Sequence, residues 1–219
     1  MSAPHGGRLI DRLVPEKDRP RYEEEAEELT AIPVSDEVRK DFESIAYGIF
    51  SPLEGPLLRD DYLSVLERGR LSDDLPWTFP IVLDVSEEAA SGIAEGDDVA
   101  VSRAGEPFAV LHVEEKYRLD RKEHALKVFK TLDTAHPGVA RTLGMGSVLL
   151  GGRIDLFRET PGKFPRYRLK PKETRFLFKE RGWRTVAGFQ TRNAPHLGHE
   201  YVQKTAPVSY THLTLPTKA

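Results

Sequence analysis

Three short segments in the middle of the chain, TFPIVLDV (residues 78–85), EGDDVAVSR (95–103) and EPFAVLHVEE (106–115), are rich in β-branched residues and are separated by Gly, Asp and Pro. Such runs predict short strands joined by turns. VLLGGRIDLF (148–157) predicts a further strand, in which the Gly pair is suited to a bulge. Together these segments predict a small, mostly antiparallel β-unit.

Helical patterns lie on both sides of the strands. In most of them apolar residues recur every three to four positions, which is the spacing of a helix with one buried face. Strands in the middle with helices before and after predict an α+β or β-barrel-like first domain that ends near residue 157. The predicted helices cover residues 21–29, 36–47, 60–68 and 119–131, the first of them as an acidic, solvated face.

The composition is that of a globular protein. The 219 residues are 31% charged and carry a formal net charge of −3, so no overall basic excess indicates a nucleic-acid partner. The length predicts one complete domain and part of a second. Because the chain has no Cys, disulfides, thiolate metal sites and cysteine nucleophiles are excluded. No apolar run reaches the roughly 20 residues of a membrane span, and we expect a cytoplasmic protein.

A basic stretch with several prolines follows the predicted first domain. Residues 158–184 hold ten Lys or Arg against three Glu, which is typical either of a solvated surface or of a positive rim for an anionic substrate. Within it, residues 172–181 predict a helix. TVAGFQ (185–190) then predicts a buried parallel strand, and Ala194-Pro195 predicts the start of another helix.

The stretch GFQTRNAPHLGHE (188–200) combines a strand end, a polar turn and a helix start. In open α/β folds ligands bind at the carboxyl ends of strands, and a helix N-terminus offers N–H groups to phosphate. His196 and His199, spaced i and i+3, should lie on one side of the helix, where both imidazoles can donate to one polyphosphate. Arg192 can bind a tetrahedral oxyanion in bidentate fashion.

Two other interpretations of the histidine pair stay open. The residues could bind a metal, although the His-x-x-His spacing is not the common zinc spacing and no third ligand is near in sequence. They could also only cap or pack the helix. Phosphate binding is favoured over both, because Gln190 and Asn193 supply neutral polar groups in the same turn.

These residues carry a resemblance to a known family. QTRNAPHLGHE (190–200) resembles the signature of sulfate adenylyltransferase (ATP sulfurylase), QTRN-x-x-H-x-x-H-E. YGIFSPLEGP (47–56) resembles the G-x-FSPL-x-G segment of that family, and residues 115–152 resemble its N-terminal domain. TRFLFKERGW (174–183) resembles the lead-in to its catalytic domain. The resemblance covers residues 8–206.

The resemblance implies a fold and a reaction. The fold would be a PUA-like N-terminal domain (1–170) followed by the truncated start of a Rossmann-like nucleotidyltransferase α/β domain (171–206). Sulfate would attack the α-phosphate of ATP to give adenosine 5′-phosphosulfate and pyrophosphate, with no covalent enzyme intermediate. Mg²⁺ would accompany ATP, no nucleic acid is expected as a partner, and the full-length parent would be a homo-oligomer.

The family pattern also assigns roles within the signature. By resemblance the sulfate-binding residues are Gln190 and Arg192. The ATP-binding residues are Gln190, Asn193, His196 and His199. The catalytic set is Thr191, Arg192, Asn193, His196 and His199, and no protein residue is assigned as a metal ligand.

The chain departs from the family after the signature. The second nucleotide motif of the family, G-R-D-H, is absent, and about twenty residues cannot complete a parallel sheet. VSYTHLTLPT (208–217) resembles the translation of a sequencing adapter, so residues 207–219 are expected to be a non-native tail. We therefore expect an inactive fragment. The alternative is a PUA-like binding module, for RNA through the basic stretch 158–184.

Overall fold

A computed structural model describes residues 3–162, 164, 167–209 and 212–214. The chain divides into two compact units. One unit is Arg8–Glu159, and the residues on either side of that range form the other. Each unit is described by itself below.

A five-stranded sheet forms the centre of the first unit. In spatial order its strands are β1, β3, β4, β5 and β2, with β1 parallel to β3 and every other pair antiparallel. This confirms the predicted mostly antiparallel β-unit. The strands are β1 (Ala31–Pro33), β2 (Leu83–Val85), β3 (Asp98–Arg103), β4 (Glu106–Arg118) and β5 (Val148–Leu156).

The predicted first strand is shorter in the structure. Of residues 78–85 only Leu83–Val85 is extended and paired, with β5. Pro80 has no N–H to donate, which restricts strand pairing around it. The β-branched pattern of this run therefore predicted a strand in the right place but overestimated its length.

Six α-helices and one 3₁₀ helix accompany the sheet. Each of the four predicted helices is present to within a few residues at its ends. Asp120 caps one of them by accepting hydrogen bonds from the N–H groups of Lys122 and Glu123. The elements are the 3₁₀ helix Glu16–Asp18, α1 (Arg19–Glu28), α2 (Asp36–Ala46), α3 (Arg59–Arg68), α4 (Glu87–Ser91), α5 (Arg121–Phe129) and α6 (Pro137–Leu143).

The core lies between the sheet and helices α2 and α3. Phe42 of α2 packs edge-on against Phe108 of β4, with ring centroids 6.0 Å apart. Tyr62 of α3 donates or accepts a hydrogen bond with the Nδ1 atom of the buried His124, 3.0 Å away. Burial lowers the pKa of His124, so the ring is held in its neutral form.

The connection between α2 and α3 crosses β5 at backbone contact distance. The Ile154 N–H donates to the carbonyl of Glu54 at 2.9 Å, and the Gly152 N–H donates to that of Pro56 at 3.2 Å. A Cβ atom on Gly55 would lie 1.7 Å from the Gly152 carbonyl oxygen. A residue with a side chain cannot occupy this position without displacing the strand.

The predicted bulge lies opposite the Gly pair of β5. The register of β4 shifts between Val113, which faces Gly152, and Glu115, which faces Gly151. The extra residue is therefore Glu114 of β4, not a residue of the pair itself. The Gly pair allows the close approach, while the neighbouring strand contains the bulge.

We predict that Gly55→Ala lowers the free energy of unfolding by about 2 kcal/mol or more, because overpacking here meets backbone atoms. Gly92→Ala is the matched control, since its nearest neighbouring atom would be 4.0 Å from the new Cβ. We expect this control to change stability by no more than about 0.5 kcal/mol. Urea unfolding of both variants measures the difference, and equal effects would contradict the proposed contact.

A charged cluster ties three adjacent strands together on the first unit. His112 of β4 has Nδ1 2.6 Å from Asp98 Oδ1 and Nε2 3.1 Å from Asp155 Oδ2. Arg12 and the Tyr22 hydroxyl also donate to Asp155. Because ionised carboxylates only accept, both ring nitrogens of His112 must carry protons. Hydrogen bonding to Asp155, then to Asp98, raises the pKa of His112, against the lowering effect of burial.

This cluster should make stability pH-dependent. Since the pKa of His112 is raised on folding, its stabilisation is fully present below the unfolded value of about 6.5 and is lost as pH rises through the folded value. We expect His112→Gln to be less stable than the wild type by about 1 kcal/mol at pH 5.5, with a smaller difference at pH 8.5. A wild-type-minus-variant difference that stays constant in urea unfolding at the two pH values would refute the assignment.

The second unit contains two helices and a pair of short strands. Its elements are α7 (Pro171–Glu180), β6 (Val186–Gly188), α8 (Leu197–Ser209) and β7 (His212–Thr214). β6 is parallel to β7, with Ala187 opposite Leu213. The helix predicted over 172–181 and the strand predicted within 185–190 are both present. β6 is only partly buried, however, rather than buried.

Candidate nucleotide site

The signature residues follow β6 and lead into α8. The helix begins at Leu197, not at Ala194-Pro195 as the sequence predicts. Ala194 precedes a proline, which disfavours helical backbone at that position. His196 then acts as the cap, because its Nδ1 atom accepts a hydrogen bond from the Gly198 N–H at 3.1 Å. The turn 189–196 is thus longer than predicted.

The two signature histidines lie against each other, as their spacing predicts. Their ring centroids are 3.9 Å apart. The backbone N–H of His196 donates to the Nδ1 atom of His199 at 3.3 Å. The ring of Phe189 packs edge-on against His199, with an angle of 80° between the ring planes and centroids 5.8 Å apart. His199 is partly buried by these contacts, whereas His196 is exposed.

Thr191 joins the turn to the helix. Its Oγ1 atom lies 3.3 Å from His199 Nε2 and accepts a hydrogen bond from the Asn193 N–H at 3.1 Å. Four of the six predicted site residues, Thr191, Asn193, His196 and His199, are therefore connected by hydrogen bonds. These contacts join residues no more than eight positions apart.

The two remaining site residues point into solvent. The side chains of Gln190 and Arg192 are exposed. Within the described part of the chain, the Arg192 guanidinium makes no ion pair. Among these residues it is an unpaired cation in the turn that precedes the two histidines in sequence, suited to a bidentate contact with an anion.

The charged side chains near the start of α8 pair with each other. Glu200 forms an ion pair with Lys204, one turn further along the helix. The Glu200 N–H donates to the carbonyl of His196 at 3.1 Å and so closes the first helical turn.

Among the described residues, no three His, Asp or Glu side chains are grouped as metal ligands. No helix in the same residues is long and apolar enough to cross a membrane.

Residues 2–159 match the PUA-like domain family, and the chain belongs to that family. Residues 165–216, which include the whole signature, match the ATP-sulfurylase family. The PUA-like match and the sheet of the first unit confirm the predicted fold class, a PUA-like domain followed by the beginning of an ATP-sulfurylase domain.

Curated relatives extend the same result. The chain is 59% identical to a sulfate adenylyltransferase of Hyperthermus butylicus and 52% identical to one of Ignicoccus hospitalis, each over 94% of this chain. A sulfate adenylyltransferase of Chloroflexus aurantiacus is 43% identical over 94% of the chain. These matches confirm the resemblance. The chain spans about half the length of these relatives, between 52% and 54%.

A solved structure supports the fold independently. The hexameric APS kinase from Thiobacillus denitrificans superposes with a TM-score of 0.74 and covers 98% of this chain and 39% of its own. At 22% identity this likeness concerns the fold alone. None of the relatives named here favours the alternative of a binding module for RNA.

Proposed function

We propose that the chain is the N-terminal half of a sulfate adenylyltransferase, which transfers the adenylyl group of ATP to sulfate. The observation that carries this proposal is the signature QTRN-x-x-H-x-x-H-E on a strand, turn and helix, with its imidazole rings 3.9 Å apart. A helix start with adjacent imidazole donors is suited to a polyphosphate. The sulfate adenylyltransferase relatives support the choice of reaction.

In the proposed reaction a sulfate oxygen attacks the α-phosphorus of ATP. The new bond forms adenosine 5′-phosphosulfate, and the bond to the β-phosphate breaks to release pyrophosphate. Both reactants are anions, so the protein must hold them in line and offset their charge. In this direct displacement no side chain forms a covalent intermediate.

Each signature residue has a place in this scheme. Arg192 would pair with sulfate, since its guanidinium is exposed and without an ion pair among the described residues. Gln190 would contact both sulfate and ATP. On the nucleotide side, Asn193, His196 and His199 would bind the phosphates. Thr191 completes the catalytic set through its hydrogen bonds in the turn.

Magnesium is expected to arrive with ATP. Mg²⁺ prefers oxygen ligands and is usually held by one or two carboxylates together with substrate phosphates. The turn offers imidazole, amide and guanidinium groups, and the Glu200 carboxylate is paired with Lys204. These groups fit phosphate oxygens better than a metal ion. Bound to the phosphates, Mg²⁺ would offset part of their charge.

The remaining assignments depend on the same proposal. Residues 1–170 would be the PUA-like domain, 171–206 the start of the catalytic domain and 207–219 a non-native tail. The absence of Cys is compatible with a cytoplasmic location. For the complete protein the proposal includes a homo-oligomer.

The sulfate role can be tested in a complete protein, made by fusing residues 1–206 to the second half of the Hyperthermus butylicus relative. We expect Arg192→Ala to lower sulfate-dependent pyrophosphate release at least about a hundredfold, because it removes a charged contact to the reacting anion. ATP binding should be largely kept. Arg181→Ala, an exposed arginine outside the signature, is the matched control and should retain turnover. Near-normal turnover of Arg192→Ala would show that this residue does not bind sulfate.

A second prediction concerns the 219-residue chain alone. Buried hydrophobic residues run from Ile10 to Phe157, and none lies among the residues between 160 and 205 whose burial the structure describes. The second unit is held by local hydrogen bonds and by the three-residue β6–β7 pair, and catalysis needs preorganised groups that such a short pair does not fix in place. We expect no synthesis of adenosine 5′-phosphosulfate, protease cleavage between residues 170 and 184, and survival of an N-terminal core. Activity of the purified chain, free of host enzyme, would disprove this.

A further inference from the structure

We infer that the first unit contains a binding cleft for an extended peptide with a free C-terminal carboxylate. The cleft lies between the two edges of the five-stranded sheet, where the peptide adds a strand and its carboxylate pairs with Arg121. This inference does not rest on the proposed function, because every residue that lines the cleft lies within Arg8–Glu159. The ligand class follows from the backbone groups, the strand directions and the charges of the cleft.

The two edge strands of the sheet line one cavity. β1 and β2 stand at opposite ends of the strand order, with β1 paired to β3 and β2 paired to β5. Both strands nevertheless border the same space, together with the start of α4, residues 144–147 and Arg121. We call this space the edge cleft. Its volume of about 760 Å³ lies within the range of roughly 300–1,000 Å³ that is typical of ligand sites.

Strand β1 directs the backbone groups of alternate residues away from the sheet. The Thr30 carbonyl and the Val34 N–H both bond to β3, at 3.0 and 2.9 Å. Because successive residues of a strand turn their N–H and C=O groups in opposite directions, those of Ala31 and Pro33 point away from β3. Both residues are exposed, and Pro33 contributes only a carbonyl. Ala31 therefore offers one N–H and one C=O group to an added strand.

The strand directions determine how a peptide fits. β1 is parallel to β3, whereas the other three strand pairs are antiparallel, so β1 and β2 run in opposite directions. A peptide strand between them is therefore parallel to one edge and antiparallel to the other. Main-chain hydrogen bonds to a sheet edge supply the affinity in this mode of peptide binding.

The charges of the edge cleft favour an anionic group. Three charged side chains line it, those of Asp84, Glu87 and Arg121. Asp84 accepts from the Gly146 N–H at 2.6 Å, and Glu87 pairs with Arg118 at 2.6 Å. Arg121 is half-buried, and among the described residues its guanidinium makes one hydrogen bond, from Nε to the Gly146 carbonyl at 3.5 Å, and no ion pair. Its terminal nitrogens can therefore bind a carboxylate in bidentate fashion.

Arg121 lies at the C-terminal end of β2. A Cβ atom built on Gly146 would be 2.1 Å from the carbonyl oxygen of Val85, the last residue of β2, and Arg121 bonds to Gly146. A peptide that runs parallel to β2 therefore ends at Arg121, where its C-terminal carboxylate meets the guanidinium. The same peptide is antiparallel to β1 and passes Ala31, the residue with which that strand begins. This direction selects a free C-terminus.

Fluorescence anisotropy with the 219-residue chain tests the ligand class. The probe is fluorescein-Gly-Thr-Val-Thr-Val with a free C-terminal carboxylate, because alternating β-branched residues favour an extended conformation. We expect saturable binding of this acid, and binding at least about tenfold weaker for the same peptide with a C-terminal amide. Acetyl-valine, which carries the carboxylate without a strand, should compete poorly.

Three results of this titration would overturn the inference. One is no saturable binding of the free acid at concentrations up to about 1 mM. Another is equal binding of the acid and the amide, since the carboxylate would then contribute nothing. The third is competition by acetyl-valine as strong as that by the unlabelled peptide, since no strand would then be recognised.

Variants of the chain locate the carboxylate. Arg121→Gln should weaken binding of the free acid about tenfold and leave binding of the amide unchanged. Lys122→Gln, an exposed neighbour outside the lining of the edge cleft, is the matched control and should bind as the wild type does. Urea unfolding shows whether both variants fold. Equal affinity of the two folded variants for the free acid would place the carboxylate elsewhere and overturn the role of Arg121.

Amide hydrogen exchange followed by NMR tests the strand addition. Saturating peptide should slow exchange of the Ala31 N–H at least about tenfold, because this group then donates to the added strand. The Gly69 N–H, which bonds to the Val65 carbonyl at the end of α3, is the control and should keep its rate. An unchanged rate at Ala31 would overturn the strand addition.

Discussion

The backbone of residues 54–57 lies directly on β5, and the architecture of the first unit depends on this contact. Main-chain N–H groups of Gly152 and Ile154 bond to the crossing segment, and the Tyr117 hydroxyl of β4 donates to the carbonyl of Leu57 at 2.8 Å. The Leu57 N–H in turn bonds to the carbonyl of Ile81, just before β2. One short segment therefore hydrogen-bonds to β4, to β5 and to the chain just before β2, through its Glu54, Pro56 and Leu57 backbone groups.

Glycine makes this crossing possible on both sides. A Cβ on Gly151 would lie 2.5 Å from the Leu57 carbonyl oxygen, which is also too close for a side chain, although less severe than the 1.7 Å at Gly55. The segment YGIFSPLEGP and the strand VLLGGRIDLF, which are about a hundred residues apart in sequence, therefore constrain each other. Their glycines carry no chemistry of the site. They allow two backbones to approach at hydrogen-bond distance, and helices α2 and α3 are positioned on the sheet as a result.

Residue composition and periodicity predicted strands β2 to β5 and the longer helices, but missed β1, and they failed where other constraints dominate. Helices α4 and α6 have five and seven residues, too few for a repeating apolar pattern. The bulge was expected at the Gly pair, but its extra residue, Glu114, belongs to the neighbouring strand. The cluster around His112 was not predicted, because Asp98 and Asp155 approach it only through the register of three strands. No spacing along a single strand encodes that register.

In the candidate site, unlike the His112 cluster, the contacts join residues that are close in sequence. The approach of His196 and His199 follows from a separation of three positions, and the Thr191 contact spans eight, so sequence alone brings these groups together. What sequence does not supply is the hydrogen-bond direction, which depends on the backbone N–H groups at a helix start three residues later than predicted. These N–H groups assign a proton to one nitrogen of each ring, and the two chemically identical side chains thereby become unequal. His199 is hydrogen-bonded to the turn, whereas His196 is exposed to solvent.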